Sequence, residues 1–236
     1  FTQRAAGFKQ VVPVFTNVVF DTSQGHANTL YGNMFEWLDD VLQVIRANPE
    51  TLFVIRAHPD ELRQGKESRE SVAGWASANS ITDLPNVIFI NSTDYISSYE
   101  LIQLSKFVMV YNSTIGLEAS ILGKPVLCAG KARFTQINSV FFPESRVKFL
   151  ETLDQFLQSE DVQAPEEHRL NGRKFLYYQL YCTSLPFDAF LEDDRAWRGY
   201  VRVKQTPLSA LTPETSETIR VILDGIIKGQ PFLLQP

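Results

Sequence analysis

The chain has 236 residues, enough for one large or two small domains, and its composition of 44% hydrophobic and 21% charged residues is that of an ordinary globular protein. A net charge of −5 argues against a general nucleic-acid binder, which would carry a basic patch or stripe. Cys128 and Cys182 are too few for a disulfide framework or a CxxC metal pattern, so a reducing cytosol is the expected compartment. No apolar run approaches the ~20 residues of a membrane span, and no secretory signal is visible. Phe1 stands where a start Met would, so the chain reads as a fragment or processed form of a longer protein.

Residues 11–20 (VVPVFTNVVF) are rich in β-branched and aromatic side chains and predict a buried strand. Residues 21–33 are polar, contain Gly25 and Gly32, and predict a loop. Residues 34–47 place Phe35, Leu38, Val41, Leu42 and Ile45 at a helical period that Asn48-Pro49 ends. Residues 51–57 (TLFVIRA) predict a second strand closed by His58-Pro59, and residues 66–79 a polar, weakly amphipathic helix. Residues 86–90 predict a third strand, 98–104 a short helix, 107–111 a fourth strand, 115–122 a helix and 125–129 a fifth strand. Beyond Phe134 the pattern changes to helices over 150–158, 166–182 and 214–227 with loops between. The expectation is an α/β domain over 1–134, a mostly parallel sheet with helices on both faces. A mostly helical extension over 135–236 would pack on it or on another domain. Ligands of such sheets bind at the carboxyl ends of the strands. That rule singles out residues 21–25, 58–61, 91–94 and 112–114.

Asn112, Ser113 and Thr114 stand where the fourth strand passes into a helix. Unpaired amides of a helix N-terminus, with two hydroxyls beside them, suit a phosphate. Plain helix capping is the other reading, because these residue types are the preferred caps. Glu118 follows Thr114 by one helical turn and shares its face, so it suits ribose hydroxyls or merely the helix dipole. His58 leaves a strand end with Pro59 restricting its backbone, a good position for a phosphate contact or for a loop hydrogen bond. Arg56 alternates with His58 and points the same way, or makes a surface salt bridge with Asp60 or Glu61. Lys131 and Arg133 are either ligand contacts or solvated charges. His26 reads as an exposed loop residue and His168 as part of a solvated helix face. Asp39-Asp40 and Asp193-Asp194 form no convincing metal site. The sequons at Asn91 and Asn112 read as accidental.

Two segments together resemble a known family. RAHPDE (56–61) and VYNSTIGLEASILGKPVLCAGKARF (110–134) are similar to the capsule polysaccharide biosynthesis family, bacterial glycosyltransferases of the Kdo-transferase type. The family pattern is met by His58-Pro59, Ser113-Thr114, Gly116-Leu117-Glu118-Ala119, Gly123-Lys124-Pro125-Val126, and Gly130 followed by Phe134. The resemblance covers residues 11–134, a little over half the chain, and implies a Rossmann-like sheet of the GT-B C-terminal type. It implies that His58, Ser113 and Thr114 grip the phosphate of a CMP-activated, Kdo-like sugar while Glu118 takes the ribose; Arg56 and Asn112, singled out by their place at the strand ends, are expected to complete the site. His58 would stabilise the leaving group, with no metal and no cofactor beyond the nucleotide-sugar substrate. The acceptor, a glycan or glycolipid, and the catalytic base belong to a first domain not present in these residues. A cytoplasmic protein, peripheral at the inner face of the plasma membrane and meeting other capsule assembly proteins, is the matching expectation. The alternatives are a UDP-sugar epimerase-like domain, a CDP-polyol phosphotransferase-like domain, or a non-catalytic assembly module.

Overall fold

The computed structural model describes residues 2–20, 24–62 and 68–234. The chain divides into two compact units, Phe1–Arg173 and Lys174–Pro236. The first contains α1 (Thr2–Ala5), β1 (Gln10–Phe15), α2 (Gln24–Ala27), α3 (Met34–Ala47), β2 (Thr51–Arg56), α4 (Val72–Ala78), β3 (Val87–Ile90), α5 (Ser98–Leu104), β4 (Val108–Val110), α6 (Ile115–Ile121), β5 (Val126–Cys128), α7 (Arg146–Gln158) and most of α8 (Glu166–Tyr177). All five strands run parallel in the order β3-β2-β1-β4-β5, as expected for a Rossmann-like sheet. The order grows one way from β1 to β3 and the other way through β4 and β5, so the topological switch point lies between β1 and β4.

Side chains alternate across the sheet and so define its two faces. Val12, Val14, Phe53, Ile55, Met109 and Leu127 join one apolar cluster with Trp37, Leu38, Val41, Leu42 and Ile45 of α3 and Phe149, Leu153 and Leu157 of α7. That buried face of α7 is why residues beyond 134 share a compact unit with the sheet. Arg146, at the start of α7, adds a two-pronged ion pair to Asp40 of α3, with distances of 2.6 and 2.7 Å. On the opposite face, α6 approaches so closely that a Cβ on Gly116 would come within 2.9 Å of Val110 Cγ2. Glycine permits that approach and fixes where the helix starts relative to the strand.

Three sequence expectations change. The first strand stops at Phe15 instead of continuing to residue 20. Thr16 still bonds to β2, its Oγ1 donating to the Arg56 carbonyl at 2.9 Å, and Asn17 Oδ1 then accepts the Val18 N–H at 3.0 Å, a local bond that takes the chain out of the ladder. Residues 21–23 lie outside the described residues, and the expected loop after them contains α2. The helix expected from 66 begins at Val72, where the Ser71 hydroxyl caps it by accepting the Gly74 N–H; residues 63–67 also lie outside the described residues.

In the second unit a turn of π-helix (Tyr178–Thr183) ends the helix expected to reach 182, and a loop expectation is replaced by an antiparallel hairpin of β6 (Leu191–Asp193) and β7 (Val201–Val203). Three-residue strands are too short to leave a readable period in sequence. Helix α9 (Glu217–Lys228) is capped by the Ser216 hydroxyl and ends at Gly229, whose φ of 65° is left-handed. Among the described residues no helix is long and apolar enough to cross a membrane.

Candidate functional site

A cleft of about 330 Å³ opens at the carboxyl ends of β1, β2 and β4, across the switch point. Phe15, Thr16, residues 56–60, Ser98, residues 113–115 and Glu118 line it. Five of the six sequence-predicted residues therefore meet there: Arg56, His58, Ser113, Thr114 and Glu118. Asn112, the sixth, does not line the cleft; its side-chain oxygen accepts the Asn17 amide, a bond that ties the end of β4 to that of β1.

Arg56 is the last residue of β2 and shares a sheet face with Val54, which turns it toward α5. Its guanidinium donates to the Ser98 hydroxyl, and burial lowers its pKa. Among the described residues it has no carboxylate partner, so the salt bridge considered with Asp60 or Glu61 does not form. Glu61 is instead buried, accepts the Val72 N–H at 2.6 Å at the start of α4, and has its pKa raised by that burial. His58 Nδ1 accepts the Asp60 N–H at 3.1 Å. A ring nitrogen that accepts carries no proton, so the neutral imidazole is protonated at Nε2.

Thr114 already has helical angles, φ −61° and ψ −20°, and makes no side-chain cap bond. The capping reading of the triplet is thus not realised at Thr114. Neither the Ser113 nor the Thr114 hydroxyl is engaged by a hydrogen bond among the described residues, and Ser113 is largely buried. Glu118 accepts a hydrogen bond from the Tyr99 hydroxyl at the beginning of α5. It makes no ion pair among the described residues. The cleft therefore combines a cation, an imidazole N–H and two hydroxyls with the Glu118 carboxylate, which makes no ion pair among the described residues.

Sequence reasoning missed Thr16, Ser98 and Tyr99. The polar pair Thr16-Asn17 inside an apolar run was a usable signal for the true end of β1. Ser98 and Tyr99 carried none, because only the packing of α5 beside the sheet brings them to Arg56 and Glu118. Lys131 and Arg133 do not line the cleft, nor do residues 91–94, where the Asp94 carboxylate takes the Asn91 N–H within one turn. His26 is exposed on α2. His168 corrects the sequence reading: it is 4% exposed and packs edge-on against Phe141 at 4.8 Å between ring centroids. Asp39 accepts the Trp75 indole N–H and Asp40 holds Arg146, so both are structural.

Fold and cleft together define a parallel α/β domain with a polar cleft at its switch point. The chain belongs to the capsule polysaccharide biosynthesis protein family, whose model matches residues 2–137. It is 34% identical over 124 residues to protein FixF of Sinorhizobium fredii, an alignment covering 51% of this chain and 27% of that protein. The chain thus spans about a quarter of the length of that relative. Among solved structures it is similar to the S. aureus MnaA–UDP co-structure, with a TM-score of 0.47 and 11% identity over 75% of this chain and 46% of that one. It is also similar to the Thermosulfurimonas dismutans KpsC beta Kdo 2,7 transferase, with a TM-score of 0.41 and 19% identity over 69% of this chain and 44% of that one.

Proposed function

We propose that this chain is the donor-binding part of a glycosyltransferase of bacterial capsule or surface polysaccharide synthesis, with a CMP-linked, Kdo-like sugar as donor. One observation carries the reading: Arg56, His58, Ser113 and Thr114, all hydrogen-bond donors, share a single cleft with the Glu118 carboxylate. A nucleoside phosphate is chemically the inverse of that cleft, an anion joined to a sugar with vicinal hydroxyls. Arg56 and the two hydroxyls would hold the phosphate. The Nε2–H of His58 would donate to the phosphate oxygen on which charge grows as the glycosidic bond breaks. Glu118 would accept from the ribose. The choice of CMP follows the sequence resemblance. The acceptor, a glycan or glycolipid, and the base that activates it would come from outside these residues, at the cytoplasmic face of the membrane where capsule assembly proteins meet. Membership of the family supports the pathway, and the open cleft favours binding over a purely structural role.

Calorimetric titration with CMP, UDP and CDP tests the reading, beside His58→Ala and Ser113→Ala. The expected result is CMP binding that each substitution weakens by about tenfold or more, the usual weight of a hydrogen bond to a charged group. A folded chain that binds none of the three nucleotides would sink the donor reading, and a preference for UDP or CDP would overturn the CMP assignment.

A further inference from the structure

The cleft contains an acceptor whose geometry is controlled from outside it. Tyr99, the second residue of α5, does not line the cleft, whereas Glu118, the fourth residue of α6, does. The Tyr99 hydroxyl donates to Oε2 of Glu118. Oε1 has no hydrogen-bond or ion-pair partner among the described residues. Next to Tyr99, Ser98 accepts from Arg56, so two consecutive residues tie the first turn of α5 to the end of β2 and to α6. The Ser97 hydroxyl also caps that turn through the Glu100 N–H. The phenol therefore stands on a fixed turn, and one Glu118 oxygen is held in place while the other stays open. Bonding to Glu118 also raises the phenol's pKa, which keeps the hydroxyl a donor at any ordinary pH.

A carboxylate oxygen accepts hydrogen bonds only. It repels a phosphate and accepts from hydroxyls, so it favours the ribose end of a nucleotide. Resting on the donor-binding reading above, we propose that Tyr99 is a positioning residue that aims Glu118 at the ribose, making the donor's 2′- and 3′-hydroxyls a requirement for tight binding. The ligand class that follows is a ribonucleotide-linked sugar, whichever pyrimidine it carries.

The test compares CMP with 2′,3′-dideoxy-CMP, and UDP with 2′,3′-dideoxy-UDP, by calorimetry on the full chain and on Tyr99→Phe and Glu118→Gln. Tyr99→Phe removes one oxygen at a half-exposed position and replaces no residue that lines the cleft. Wild type should prefer the ribonucleotide by about tenfold. Tyr99→Phe should lose about three- to tenfold in ribonucleotide affinity and nothing for the dideoxy form, so the preference shrinks. Glu118→Gln should shrink it at least as much. A Tyr99→Phe variant that keeps the full preference overturns the proposal. So does one that weakens both forms equally, since that marks a structural role. A wild type that binds both forms equally also overturns it, since Glu118 then does not recognise the ribose hydroxyls. Absence of any nucleotide binding removes the donor reading and this inference together, a result distinct from the other three.

Discussion

Both ends of the five-stranded sheet carry polar side chains, and they use them differently. At the amino end the side chains are consumed by the fold. Gln10 donates to Thr51 at 2.7 Å, Asn86 donates to the carbonyls of Ile45 and Asn48 at 3.0 and 3.1 Å, and Lys124 donates to those of Gln103 and Ser105 at 3.0 and 2.7 Å. Lys106 reaches Gln10 and the carbonyl of Leu157 at the end of α7. Those bonds satisfy backbone groups that would otherwise be buried unpaired, and they knit helices to strands. At the carboxyl end, Arg56 rests on a neutral hydroxyl, Ser113 and Thr114 donate to nothing described, and Glu118 makes no ion pair among the described residues. Polarity that is satisfied internally is structure. Polarity left partly unsatisfied in a cleft is what the donor-binding proposal rests on, and among the described residues it lies at the carboxyl end of the sheet.

Substitutions can break that contrast. The largest effect is expected from Gly116→Val, because its Cβ would meet the buried Val110 Cγ2 at 2.9 Å and either that side chain or the helix must shift. It should cost about 2–3 kcal/mol of stability and, by displacing residues 113–115, weaken nucleotide binding as well. Chemical denaturation and titration on one preparation read both; unchanged affinity would show that the placement of α6 does not matter to the cleft. Next comes Asn86→Ala, which leaves two carbonyls short of a donor and should cost about 1–3 kcal/mol while nucleotide affinity stays at the wild-type value. Ser113→Ala is its mirror image, weakening binding with a stability change within about 0.5 kcal/mol. If both variants lost stability alone, or affinity alone, the distinction between the two ends would be gone.

The smallest effect sharpens the contrast by locating a charge that belongs to neither end. Burial lowers the pKa of His168 from its ordinary value of 6.5. The unfolded chain therefore takes up a proton at a higher pH than the folded one does. The contribution of His168 is fully present above the unfolded value and is lost as pH falls through 6.5 toward the lower folded value. Denaturation midpoints measured between pH 8 and pH 5 should decline more steeply in wild type than in His168→Gln. Parallel curves would mean that the imidazole titrates alike in both states.

Much of the sheet was legible from composition along the chain. Helix α3 has the predicted bounds, since Leu38, Val41, Leu42 and Ile45 mark its period and Asn48-Pro49 its end. The strands β2 to β5 fall within a residue of their predicted limits because each is an unbroken apolar run closed by a polar or proline signal. The same logic overran β1, where Val18, Val19 and Phe20 are as strand-like as the residues before them. The decision there came from hydrogen bonds that Thr16 and Asn17 make with β2 and with their own backbone. His168 escaped for a similar reason: the charged residues around it describe its helix, not the Phe141 ring that covers it.

By itself the sequence determined the class of fold, the strand ends at which a ligand would sit and five residues that line the cleft there. Hydrophobic periodicity and turn chemistry are local and survive in one dimension. Only the tertiary structure decided that Thr114 does not cap its helix with its side chain, that Asn112 bonds to Asn17 instead of lining the cleft, and that Ser98 and Tyr99 reach Arg56 and Glu118. Those bonds join side chains up to 95 positions apart, and no local pattern encodes a partner that packing alone brings near.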